Sequence, residues 1–168
     1  MTGLRKFMAL AAVGALAACA STPQVETSLA STLLVTEVRS STTVQRTETA
    51  LPKDQITQVA QAKVSSALKS ANPSGSRPVR AEMVVTQFYI ANPIAGALLG
   101  SSVSSISTEI TLVDAATGDV VTPAFKVIGH TEARPTILGA AAIKSPNQEL
   151  EIITNDLANE AKFAIYGN

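Results

Sequence analysis

From Thr32 onward, apolar residues fall alternately into short β-branched runs and longer stripes at helical spacing. Thr32-Leu33-Leu34-Val35-Thr36-Glu37-Val38-Arg39 is rich in β-branched residues and ends in a Ser/Thr run, which predicts a first strand. Leu51-Pro52-Lys53-Asp54 then opens a helix. Pro52 suits a first turn, where its missing N–H would have no partner, and Asp54 suits the positive helix end. Ile56, Val59, Ala60, Val64, Ala67, Leu68 and Ala71 recur at three and four, giving one apolar stripe that Asn72-Pro73-Ser74-Gly75-Ser76 terminates. Val79 to Ile90 predicts a long strand. In it Val79, Ala81, Met83 and Val85 alternate with Arg80 and Glu82 before both faces turn apolar.

Ser104 to Val113 alternates throughout, with Ile106, Thr108, Ile110 and Leu112 on one face and Ser105, Ser107, Glu109 and Thr111 on the other. Asp114-Ala115-Ala116-Thr117-Gly118 supplies a hairpin turn, with Gly118 for positive φ, and Val120 to Thr131 returns as the partner strand. Ser145-Pro146-Asn147-Gln148 has the form of a capping box. Leu150, Ile153, Leu157, Ala161, Ala164 and Ile165 mark a second amphipathic helix that Gly167 ends.

The order is β-α-β-β-β-α, and its first strand-helix-strand unit is long enough for a right-handed crossover. It predicts an α+β domain over 32–168: a mixed four-stranded sheet with two helices packed on one face. The polar face of Ser105, Ser107, Glu109 and Thr111 is left to solvent or to a partner.

Ahead of this domain the chemistry changes. Arg5 and Lys6 precede the apolar run Phe7 to Ala15, and Leu16-Ala17-Ala18 places small residues before Cys19, the three-part layout of a secretory signal. Thirteen or so apolar residues make about 20 Å of helix, short of the ~20 residues that span a bilayer, so residues 1–18 are expected to be cleaved. Leu16-Ala17-Ala18-Cys19 resembles the bacterial lipobox, which implies a diacylglycerol thioether on Cys19, cleavage before it and acylation of the new N-terminus. A thiol is the nucleophile that makes such a thioether, and lipid accounts for an exported cysteine without a disulfide partner. By analogy with lipoprotein sorting, Ala20 after the cysteine favours the outer membrane with the body facing the periplasm. Residues 19–31 then read as the lipidated cysteine and a small, polar tether, with a root-mean-square reach of about 20 Å.

With 168 residues, 46 % hydrophobic and 15 % charged, the chain is long enough for one core. Equal numbers of basic and acidic side chains, 13 of each, supply no basic stripe for nucleic acid. Two apolar segments fall outside every predicted strand: Pro93 to Gly100, with Ile94, Leu98 and Leu99, and Pro135 to Ile143, with Ile137, Leu138 and Ile143. They either fold over the edge of the core or form a surface for self-association or partner contact. Insertion into the bilayer is disfavoured, because neither segment alternates as a barrel strand does.

Catalytic patterns are lacking. His130 is the single histidine, and with Cys19 committed to lipid there is no His/Cys zinc cluster and no Cys-His pair. His130 and Glu132, two apart on one strand face, form the sole candidate for a shared ligand and otherwise read as edge-strand polar residues. There is no Walker-type phosphate loop and no Gly-x-Ser-x-Gly elbow. No cofactor is expected.

The lipobox, the short tether and the β-α-β-β-β-α order with Leu112-Val113-Asp114-Ala115-Ala116-Thr117-Gly118-Asp119-Val120-Val121 are together similar to bacterial lipoprotein families of unknown function. Their domain resembles that of the curli secretion channel lipoprotein, the exopolysaccharide-export collar lipoprotein and the outer-membrane activator of penicillin-binding proteins. The resemblance implies an envelope assembly or secretion module, and it implies no active site. The expected function is a membrane-anchored, non-catalytic binding or assembly module. A ring-forming export subunit and a periplasmic hydrolase using His130 or Glu132 are the alternatives.

Overall fold

The computed structural model describes residues 22–45, 51–91, 103–133 and 143–168. A one-turn helix α1 (Thr27–Ala30) leads into β1 (Leu33–Thr42), α2 (Lys53–Ala71), β2 (Arg77–Tyr89), β3 (Ser105–Asp114), β4 (Val120–His130) and α3 (Pro146–Tyr166). The sheet has the order β1-β2-β3-β4. The β1 and β2 strands are parallel, whereas β2-β3 and β3-β4 are antiparallel. This is the expected mixed α+β sheet, with α1 added at its start.

Strand β1 runs three residues beyond Arg39, through the Ser/Thr run. A register shift between Val35 and Glu37 explains the irregular sequence there. One extra residue at Thr36 moves the inward position from Glu37 to Val38, so Leu33, Val35 and Val38 are all buried while Glu37 is only half-buried. In α2 the stripe Ile56, Ala60, Val64 and Leu68 is buried, with Val59 and Ala67 packed at its margin. Pro52 sits just before the first turn as the cap residue.

Helix α3 starts at the expected capping box, in which Gln148 Oε1 accepts the Ser145 N–H at 3.2 Å. It stops at Gly167, whose φ of 73° is left-handed. The two long helices lie side by side: Gln55 Nε2 donates to Asn147 Oδ1 at 3.0 Å, and Lys63 pairs with Glu151. The inward rows of the sheet, among them Val79, Ala81, Met83, Ile106, Ile110 and Leu112, form one core with Leu150, Ile153, Leu157 and Ile165 of α3. Full burial of each large aliphatic side chain is worth about 1.5–3 kcal/mol.

The outer face of β3 is only partly open: Glu109 is exposed, Ser105 and Thr111 are half-buried, and Ser107 is buried. Between β3 and β4, Asp114 Oδ1 accepts the N–H groups of Ala116 and Thr117 at 3.0 and 3.2 Å, and Gly118 takes φ 82°. The hairpin therefore forms as its sequence predicts.

Of the stretch 19–31 expected as a tether, residues 22–31 are described, and most of them are folded against the domain. Val25 and Ala30 are buried in the core, and the N–H groups of Gln24 and Val25 both donate to Ala164 O, at 2.7 and 3.3 Å. Burial of an apolar side chain and two hydrogen bonds outweigh the freedom of a short polar stretch, so Gln24 to Ser31 belongs to the folded body.

Candidate functional site

Glu149 lies in the first turn of α3 with no exposed surface. A charged side chain placed there has to be met by donors or it costs several kcal/mol. Its Oε2 accepts Ser104 Oγ at 2.7 Å and its Oε1 accepts the Lys144 N–H at 2.9 Å. Ser104 Oγ in turn accepts the Ala91 N–H at 3.0 Å. The Ser104 backbone exchanges two bonds with Thr131, whose Oγ1 accepts the Ser104 N–H at 3.1 Å while its own N–H donates to Ser104 O at 2.9 Å.

Four chain positions are thereby fixed around one carboxylate: Ala91 after β2, Ser104 before β3, Thr131 after β4 and Lys144 before α3. These are the roots of the two apolar segments found in the sequence. Glu149 and the buried Ser104 and Thr131 were not anticipated as a site. The only sequence signal was an acidic residue in a helix first turn, which reads equally as a partner of the helix dipole. Of the six candidate contact residues, Ile143 is half-buried just before Lys144, whereas Ile94, Leu98, Leu99, Ile137 and Leu138 lie outside the described residues, as does Cys19.

The structure places His130 and Glu132 as follows. His130 ends β4, exposed, and its backbone N–H and Nδ1 both meet Asp156 Oδ2 of α3, at 2.8 and 2.9 Å. Glu132 is exposed beyond the strand. His130 thus ties the end of an edge strand to α3. Among the described residues no group of three or more His, Cys, Asp or Glu side chains is placed to hold a metal ion.

A cleft of about 360 Å³ lies between the chain at Thr22 and Gln24, the edge strand β4 and the last turns of α3. Val127, Ile128, Phe163 and Ala164 give it an apolar floor, and Lys126, His130 and Glu160 line it with polar groups. Gln24 Nε2 donates to Thr22 O at 2.8 Å, which holds the chain in a turn at the cleft. No described helix is long and apolar enough to cross a membrane.

No protein-family model matches the chain, and no curated protein matches it. Among solved structures it is similar to a minor lipoprotein of Acinetobacter baumannii, at 10 % identity and TM-score 0.49 over 82 % of this chain and 94 % of that one. It is also similar to a candidate lipoprotein of Caulobacter crescentus, at 11 % identity and TM-score 0.45 over 83 % and 92 % of the two chains. A protein of Xanthomonas campestris is similar at 17 % identity and TM-score 0.43, over 86 % and 87 %.

Proposed function

We propose that the chain is a bacterial lipoprotein of the cell envelope, anchored through lipid on Cys19 after loss of residues 1–18, whose domain is a non-catalytic binding or assembly module. Anchoring rests on Leu16-Ala17-Ala18-Cys19 behind a charged and then apolar leader. A single acyl chain holds a protein only marginally, and two or three hold it firmly. Ala20 favours the inner leaflet of the outer membrane, with the domain in the periplasm.

The observation that carries the binding reading is the Glu149 cluster. It joins, at one end of the sheet, the described residues that flank both apolar segments, which supports the reading that Ile94, Leu98, Leu99, Ile137, Leu138 and Ile143 serve contact with a protein partner or a second copy. A polar network buried at a place where a few apolar residues would pack more cheaply fits a role in fixing one geometry. A ring-forming subunit of an export assembly is the special case in which the partner is the same chain.

The test compares native masses of the lipoprotein in mild detergent and of a soluble form starting at Ala20. A discrete oligomer in either form makes the segments at 93–100 and 135–143 a subunit interface. Crosslinking there to copies of the chain is then expected, and it should be lost in a Leu98→Asp, Leu138→Asp double variant. Monomers in both, with no crosslinked partner from envelope extracts, would overturn the binding reading.

A further inference from the structure

The folded body begins closer to Cys19 than a free tether would allow. Thr22 is turned into the cleft by Gln24, and Gln24 and Val25 are bonded to Ala164 of α3. Only three residue steps separate Cys19 from Thr22, at most about 11 Å of fully extended chain. A thioether-linked diacylglycerol keeps Cys19 near the base of the headgroup layer, which is about 5–7 Å thick on each side of the bilayer. What remains lifts Thr22 only about 4–6 Å above the headgroups, less than the diameter of a helix.

Thr22 is therefore held close to the headgroup layer. We infer that the face bearing the cleft, comprising the β4 edge at Lys126, Ile128 and His130 and the α3 turn at Phe163, is seated on the phospholipid headgroups of the leaflet that holds the Cys19 lipid. This rests on the proposed lipidation. The composition of the face suits a headgroup layer. Ile128, in the apolar floor of the cleft, is 41 % exposed on an edge strand, and the polar groups around it, Lys126, His130 and the acidic Glu160, can stay hydrated among zwitterionic headgroups. Contact with headgroups also covers a free sheet edge that would otherwise invite another strand.

The experiment uses the full lipidated protein in vesicles of phosphatidylethanolamine and phosphatidylglycerol carrying a headgroup nitroxide. Cys19 is the only cysteine, so once it is lipidated a single introduced cysteine takes a fluorophore cleanly. Lys126→Cys marks the β4 edge, and Ser41→Cys marks the exposed far edge at β1, three strand spacings or about 14 Å across the sheet. The fluorophore at 126 is expected to be quenched several-fold more than that at 41. Inserting twelve Gly/Ser residues after Ala20, with a reach of about 20 Å, should remove the difference while the protein still floats with the vesicles. Equal quenching in the uninserted protein would overturn the inference and leave anchoring intact. Failure to float with vesicles would overturn anchoring, and the inference with it.

Discussion

A carboxylate without exposed surface persists only if its oxygens are met, and in Glu149 each oxygen accepts a donor from a different connection of the fold. Glu149→Ala leaves Ser104 Oγ and the Lys144 N–H without this acceptor inside the core. It should cost about 3 kcal/mol in urea denaturation, while Glu149→Gln, which keeps the shape and one acceptor, should cost about 1 kcal/mol. A loss below about 0.5 kcal/mol in the alanine variant would contradict the cluster's structural weight. At the hairpin, the N–H groups of Ala116 and then Thr117, with Arg77 adding its charge, hold the Asp114 carboxyl below its ordinary range. A depressed folded value means stability that is present above the unfolded value and lost as pH falls through the folded one. Asp114→Asn keeps the acceptor oxygen but cannot titrate. The wild-type advantage over it should therefore shrink in thermal melts taken below the ordinary Asp range of about 3.9. An unchanged difference would contradict the assignment.

At the scale of elements, α3 lies directly against the backbone of β4 at Gly129. A Cβ at Gly129 would stand 2.1 Å from Ile153 O and 2.6 Å from Leu157 N, so backbone rather than a flexible side chain fills the space. Gly129→Ala should destabilise by about 3 kcal/mol or more, since the helix must move off the strand. Gly118→Ala meets nothing within 4 Å and pays only for its positive φ, about 1 kcal/mol. Equal losses in chemical denaturation would contradict this reading of the α3-β4 packing.

These elements also show what the sequence could carry. The capping box at Ser145, the stop at Gly167 and the Asp114 to Gly118 turn are settled by neighbours within a few residues, and they are legible for that reason. The β1 bulge is not, because Thr36 looks like any strand residue until β2 fixes the register. Val25 sits in a polar stretch with no period, and its burial follows from Ala164, far along the chain. The same holds for Glu149, whose donors come from Ser104 and Lys144.

For the whole molecule, the docked N-terminus changes how a lipid on Cys19 would act. If Cys19 carries lipid as proposed, three residue steps rather than a tether of about 20 Å separate it from Thr22, where the described body begins. A soluble form starting at Ala20 should leave the membrane fraction without changing the unfolding of the domain, because among the described residues the core begins at Val25. If that form stayed membrane-bound, the anchor would lie elsewhere. The measurement that tests the account most directly is the intact mass of the protein extracted from membranes with detergent. The account predicts a chain that starts at Cys19 and carries a diacylglycerol and an N-acyl group, with both additions on the N-terminal peptide. A mass matching an unmodified chain, whether cut at Cys19 or elsewhere, would contradict it.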